Sequence, residues 1–112
     1  PLACSAALGT LSIFESDNVL KKNLILSKKI NRLFSSLEDL PITDLRNIGM
    51  IWAFELDSKI SIDKVLAYSL NKGVLIRPID NTIYFMPPYC MKETEAREMI
   101  KITREAILYA ST

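Results

Sequence analysis

The stretch Gly73–Tyr89, GVLIRPIDNTIYFMPPY, contains two short apolar runs separated by turn-forming residues. Its β-branched and aromatic side chains predict two strands, Val74–Arg77 and Thr82–Met86, joined by a four-residue connection. Two consecutive prolines end the second run, because proline cannot donate a ladder hydrogen bond. The pattern therefore predicts an antiparallel pair of strands, with Arg77 at the end of the first strand.

Arg77 is the residue of this stretch that could bind a ligand. Pro78 disfavours the helical region for the residue before it, so we expect Arg77 to be extended. Pairing Arg77 with Thr82 would place Tyr84 opposite Leu75, and alternation would put these four side chains on one face. A guanidinium there could bind a carboxylate through two parallel hydrogen bonds, or it could pair with a surface Asp or Glu. Tyr84 could be a pocket wall or an ordinary half-buried strand aromatic.

Apolar residues at helical spacing predict helices before and after this stretch. The first, Leu2–Phe14, is rich in Ala and apolar nearly all round, which predicts a buried helix. A second follows Asp17 or Asn18 as its N-cap, and a third begins at the N-cap Ser61 and ends at Gly73. The second helix is expected to bury one stripe, which consists of Leu26, Ile30, Leu33, Phe34 and Leu37.

A central strand is predicted at Met50–Phe54, which is apolar on both faces and includes Trp52 as a core residue, with a bend at Gly49. The elements then run helix, helix, strand, helix, strand, strand, helix, and the last helix covers about Glu93 to Ala110. This order predicts an α+β fold, in which a small, mainly antiparallel sheet is covered by helices. Within this single domain, residues 1–40 form a helical lead-in and residues 42–112 a sheet subdomain.

Composition excludes several classes of function. The 112 residues fit one domain, and a net charge of +1 without a basic block argues against nucleic acid or an anionic membrane as partner. The longest uncharged run, Pro1–Phe14, is shorter than the ~20 residues of a membrane-spanning helix. With no His and only Cys4 and Cys90, the chain cannot build a structural zinc site. Two reduced thiols are expected, as in a cytoplasmic protein, with Cys4 buried.

The chain begins at Pro1 with an apolar helix already under way and no initiator Met. A buried first turn would leave backbone N–H groups unpaired, so we expect the chain to be the C-terminal part of a longer protein. No Lys has the apolar surroundings of a Schiff-base lysine, and the three glycines are too far apart for a phosphate-binding loop. The sequence therefore predicts no catalytic, cofactor-binding or metal-binding residue within this chain.

Three segments together resemble the class III aminotransferases, which use pyridoxal phosphate. PLACSAALGTL, Pro1–Leu11, is similar to the segment after their cofactor-phosphate loop, and LRNIGMIWAFEL, Leu45–Leu56, to the strand that opens their C-terminal small domain. Gly73–Tyr89 is similar to the C-terminal signature of the biotin-pathway members. The resemblance covers nearly the whole chain and departs at Ile79 and Asp80, where an aromatic residue and a glycine are common.

The resemblance implies the C-terminal small domain of a fold-type I aminotransferase, which acts as a cytoplasmic homodimer. It implies transfer of an amino group from S-adenosylmethionine to 8-amino-7-oxononanoate, with Arg77 binding the carboxylate of the acceptor and Tyr84 near the substrate pocket. The large domain that holds pyridoxal 5'-phosphate would lie outside this chain. The chain alone is therefore expected to lack activity and not to bind the cofactor.

Two alternatives stay open at this point. The parent could be another class III aminotransferase, acting on ornithine, 4-aminobutyrate or glutamate semialdehyde. The chain could instead be a stand-alone α+β module in which Arg77 and Tyr84 bind a small carboxylate, and such a module would pack its first helix against its own sheet.

Overall fold

Four helices and a four-stranded sheet make up the fold in the computed structural model, which describes all 112 residues. The helices are α1 (Leu2–Ser16), α2 (Val19–Phe34), α3 (Ile62–Asn71) and α4 (Glu93–Ala110), with a 3-10 turn at Ser35–Leu37. The strands are β1 (Ile42–Ile48), β2 (Ile51–Leu56), β3 (Arg77–Ile79) and β4 (Thr82–Phe85). The sheet order is β1-β2-β4-β3, and every neighbouring pair is antiparallel. The predicted α+β class is confirmed.

Strand β1 was not predicted, and the bend expected at Gly49 is the turn of a β1–β2 hairpin. Ile48 pairs with Ile51, and Gly49 between them has a φ of +56°, which glycine adopts without strain. Most residues of β1 are exposed, and only Ile42 and Leu45 are partly buried. An edge strand of this kind lacks the apolar alternation by which strands are recognised in sequence.

One continuous core lies between helices α2, α3 and α4 and the inner face of the sheet. Trp52 is buried, as predicted, and stacks on Phe34 with ring centroids 5.3 Å apart. Phe85 meets Phe34 edge-on at 5.2 Å, and such aromatic pairs contribute about 0.5–1.5 kcal/mol beyond their buried area. The stripe predicted for the second helix is buried at Ile30 and Phe34 and partly buried at Leu26 and Leu33, whereas Leu37, also buried, lies in the 3-10 turn after α2.

The predicted helix ends are largely confirmed. The Ser61 hydroxyl accepts a hydrogen bond from the Lys64 backbone N–H at 3.4 Å, and Gly73 follows α3 with a φ of +85°. Helix α4 has the predicted bounds. Asn18 occupies the N-cap position of α2, but its side chain makes no capping hydrogen bond.

Helix α1 contradicts the prediction that it is buried. None of its residues is buried, and Leu2 and Leu8 are 86% and 67% exposed. Cys4, which was also expected to be buried, is exposed. Apolar composition signals that a helix tends to be covered, but it does not say which part of a protein covers it. No helix in the chain combines the length and the hydropathy that a membrane crossing would require.

Helix α1 has a few contacts with α2, which follows it directly, and its C-terminal end reaches the segment that precedes α4. There the ring of Phe14 meets that of Tyr89 edge-on, with centroids 5.9 Å apart.

Candidate functional site

Strands β3 and β4 place Arg77 and Tyr84 directly opposite each other. Ile79 pairs with Thr82, so the connection is a two-residue turn at Asp80–Asn81. The predicted pairing of Arg77 with Thr82 is therefore wrong by two residues. Because side chains alternate with a period of two, this shift leaves Arg77, Tyr84 and Thr82 on the predicted common face.

Asp80 explains why the connection is tighter than predicted. Its φ is +51°, in the left-handed region that Asp and Asn tolerate better than most side chains. Asp80, where the resemblance implied that a glycine is common, thus adopts a φ that glycine adopts readily. Strand β3 also begins later than predicted, at Arg77, and Val74–Ile76 form irregular backbone before it.

One cross-strand row on the outer face of the sheet contains two arginines. It runs from Arg46 on β1 through Ala53 on β2 and Tyr84 on β4 to Arg77 on β3. This face points away from the core, since the side chains that alternate with it, such as Phe85, are buried. Three strand spacings of about 4.8 Å place the two ends of the row about 14 Å apart.

The two arginines have different electrostatic surroundings. Arg46 forms an ion pair with Asp44, and its guanidinium lies 4.0 Å from the Glu55 carboxylate. Arg77 forms no ion pair with any carboxylate of the chain. The pairing with a surface Asp or Glu that the sequence left open for Arg77 does not occur.

Arg77 and Tyr84 line a groove of about 650 Å³ between strand β3, the end of α3 and the first half of α4. Its volume is within the range of about 300–1,000 Å³ that is usual for small-molecule sites. Leu75 lines it as well, whereas Thr82 does not. The groove is mostly apolar, and three of the four methionines of the chain contribute to it, namely Met86, Met91 and Met99.

Four charged residues line the groove, and two of them have local partners. Glu95 accepts a hydrogen bond from the Lys92 backbone N–H at 2.7 Å and so caps α4. The ammonium of Lys72 lies 5.9 Å from the centroid of the Tyr68 ring, within the range of a cation–π contact. None of the four forms an ion pair, and Arg77 and Glu98 also lack a hydrogen bond or cation–π contact of their side chains within the chain. The groove therefore offers one unpaired guanidinium and one unpaired carboxylate.

The methionines and glutamates of the groove were not predicted. Met86 and Met91 flank the proline pair, and Glu95, Glu98 and Met99 recur on α4 at a spacing that places them on one side of the helix. This spacing was a usable signal, but it did not show that this side of α4 lines the same groove as strand β3.

The pKa values that the structure shifts belong to ion pairs outside the groove. The hydrogen bonds that Arg104 donates to the Asp39 carboxylate stabilise both charges, so they lower the pKa of Asp39 and raise the pKa of Arg104. Hydrogen bonds from Arg97 and Lys29 lower the pKa of Glu93. Two of these pairs connect α4 to Asp39, just after the 3-10 turn, and to Lys29 on α2, whereas the pair of Arg97 with Glu93 lies within α4; all three therefore have a structural role.

The residues of the chain do not fit pyridoxal phosphate by themselves. Lys72, the lysine of the groove, is exposed at the end of α3. The three glycines lie in α1, in the β1–β2 turn and after α3, so they form no phosphate-binding loop. No cluster of Cys, Asp or Glu is arranged to hold a metal ion.

Comparison with known proteins gives consistent matches. Residues 1–107 match the aminotransferase class-III family. The chain is 41% identical over 108 residues to the adenosylmethionine-8-amino-7-oxononanoate aminotransferase of Helicobacter pylori, which covers 88% of this chain and 24% of that protein. The chain spans about a quarter of the length of the curated relatives it matches.

Solved structures show the same fold. The crystal structure of adenosylmethionine-8-amino-7-oxononanoate aminotransferase from Methanocaldococcus jannaschii superposes with a TM-score of 0.88 at 31% identity, over 97% of this chain and 28% of that one. The ornithine aminotransferase of Toxoplasma gondii, described with partial occupancy of PLP at its active site, has a TM-score of 0.83 at 24% identity, over 99% of this chain and 27% of that one. The second likeness concerns the fold alone.

Proposed function

Because this chain belongs to the class-III aminotransferase family, we propose that it is the C-terminal small domain of an adenosylmethionine-8-amino-7-oxononanoate aminotransferase. The name of the Helicobacter pylori relative and the identity of 41% support this substrate assignment. The parent enzyme transfers an amino group from S-adenosylmethionine to 8-amino-7-oxononanoate, which gives 7,8-diaminopelargonate. It acts as a homodimer in the cytoplasm.

The observation that carries this proposal is the unpaired guanidinium of Arg77 beside an apolar groove. A guanidinium recognises a carboxylate through two parallel hydrogen bonds, which fix the orientation of the carboxylate as well as its position. Arg77 thus binds the carboxylate of 8-amino-7-oxononanoate. Tyr84, directly opposite on β4, borders the same substrate with its ring and hydroxyl.

The apolar wall of the groove suits the methylene chain of this substrate. Leu75 and Met86 are both more than half exposed beside Arg77, and covering them with a methylene chain removes apolar surface from water. Methionine side chains are flexible and polarizable, so they can adapt to an unbranched chain.

Pyridoxal 5'-phosphate supplies the electron sink for amino transfer in such enzymes. Since this chain has no residues that fit the cofactor, the cofactor binds in the rest of the parent, and so does most of the amino donor. The role of this chain is to bind and orient the acceptor, and the chain alone is inactive. The exposed helix α1 agrees with a domain that is covered by the rest of an enzyme, since a stand-alone module would pack that helix against its own sheet.

The test compares two arginines of one cross-strand row in the full-length enzyme. Arg77→Ala should lower kcat/KM for 8-amino-7-oxononanoate at least about 100-fold, because it removes two hydrogen bonds to a charged group, which contribute roughly 1.5–3 kcal/mol each. The single-turnover reaction with S-adenosylmethionine and the absorbance of the bound cofactor should stay unchanged. Arg46→Ala, the matched control, should leave both reactions at wild-type rates.

An equal loss in both half-reactions of the Arg77→Ala enzyme would contradict the role of Arg77. Efficient transamination of ornithine, 4-aminobutyrate or glutamate semialdehyde by the wild-type enzyme, with none of 8-amino-7-oxononanoate, would contradict the substrate assignment.

A further inference from the structure

Glu98 lines the groove from α4, whereas Arg77 lines it from β3. Neither residue has an ion pair. Glu98 is exposed and lies next to Met99, which lines the same groove. A ligand whose carboxylate is bound by Arg77 thus shares the groove with a carboxylate that pairs with no cation of the chain, while the ammonium of Lys72, the other cation of the groove, lies over the Tyr68 ring.

We propose that Glu98 is a specificity-determining residue, which makes the groove accept a monocarboxylate and reject a dicarboxylate. This inference rests on the proposed function, since 8-amino-7-oxononanoate carries one carboxylate and one amine. A second carboxylate on the chain of a ligand would be repelled by Glu98, whereas an uncharged or cationic chain would not. A site can discriminate in this way by placing a repulsive group against the wrong ligand.

The other carboxylate of the groove contributes less to this discrimination. Glu95 faces the backbone N–H of Lys92, and its charge is stabilised at the N-terminus of α4. Because the groove is open to solvent, the expected discrimination by Glu98 is moderate, about three- to tenfold in affinity at low salt.

The experiment measures, by calorimetry on the full-length enzyme at low ionic strength, the dissociation constants of octanoate and octanedioate. The ratio of the octanedioate constant to the octanoate constant is the readout, because a general loss of folding or of groove shape moves both constants together. Glu98→Gln should lower this ratio about three- to tenfold, and Glu98→Lys should lower it further. Arg77→Ala should weaken the binding of both probes.

Glu38→Gln is the matched control. Glu38 is an exposed carboxylate without an ion pair, and it lies outside the groove. Its substitution should leave the ratio unchanged, and raising the salt concentration should reduce the effect of Glu98→Gln. The proposal would be overturned if Glu98→Gln left this ratio within twofold of its wild-type value. It would also be overturned if Glu38→Gln changed the ratio as much as Glu98→Gln does.

Calorimetry separates this proposal from the proposed function. If the wild-type enzyme fails to transaminate 8-amino-7-oxononanoate, the proposed function is wrong, and the binding ratio still reports on Glu98. If transamination is normal and the ratio does not respond to Glu98→Gln, only the role of Glu98 is wrong.

Discussion

The two edges of the sheet each present one arginine in the same cross-strand row, and their surroundings differ. On β1, Arg46 has acidic residues two positions before it and across the strand pair, at Asp44 and Glu55. On β3, Arg77 has apolar residues on either side and Tyr84 opposite. An arginine whose charge is satisfied by its neighbours serves local structure, whereas one left unpaired beside an apolar groove is available to a ligand.

After the loss of acceptor use expected for Arg77→Ala, the largest effect in this comparison comes from giving Arg77 the kind of partner that Arg46 has. Leu75 stands two positions before Arg77, as Asp44 stands before Arg46, and it is 67% exposed. In the full-length enzyme, Leu75→Asp should raise KM for 8-amino-7-oxononanoate about tenfold, because the new carboxylate competes for the guanidinium. Steady-state kinetics on the acceptor would measure this. Leu75→Asn, which has nearly the same shape but no charge, should change KM much less, and equal effects of the two variants would contradict the explanation.

A smaller effect is expected on stability. Arg46→Ala should lower the free energy of unfolding of the 112-residue chain by about 0.5 kcal/mol, since exposed ion pairs typically contribute 0.2–1 kcal/mol. Arg77→Ala removes no ion pair, so urea denaturation should show no comparable loss. A greater loss of stability in Arg77→Ala than in Arg46→Ala would show that Arg77 has a structural role.

The smallest expected effect concerns acid stability. The folded chain lowers the pKa of Asp39 and Glu93 below their ordinary values of 3.8 and 4.5. Their ion pairs therefore contribute stability that is fully present above those values and is lost as the pH falls through the lowered ones. Urea midpoints measured from pH 6 down to pH 3 should fall on the acid side, and Asp39→Asn should flatten this decline. Arg77→Ala should leave the slope unchanged, because Arg77 holds no carboxylate.

Local patterns predicted the parts of the fold that depend on neighbouring residues. Ser61, Gly73 and the bounds of α4 follow from capping and helical spacing, and these signals lie within a few residues of each other. The common face of Arg77 and Tyr84 was also predicted, although the register was wrong by two residues. An error of two preserves the face, whereas an error of one would have reversed it.

The features that sequence did not predict depend on distant parts of the chain. Strand β1 is a polar edge strand, whose pairing is recognisable only once β2 is placed beside it. The turn at Asp80 was expected to be longer because an Asp in the left-handed region was not anticipated. Met99 and Glu98 belong to the groove only because this side of α4 and strand β3, which are distant in sequence, line the same depression. The apolar composition of α1 predicted a buried helix, but no element of this chain covers it.

The two edge strands of the sheet, β1 and β3, are poor sites for strand addition when copies of this chain meet. The register of β1 shifts between Thr43 and Arg46, and β3 is only three residues long, with Pro78 at its centre. Bulges, charges, proline and short length all hinder the addition of a foreign strand to a sheet edge. Helix α1, by contrast, exposes apolar side chains that nothing in the chain covers. Aggregates of the isolated chain should therefore form through helix contacts and should not develop into cross-β fibrils.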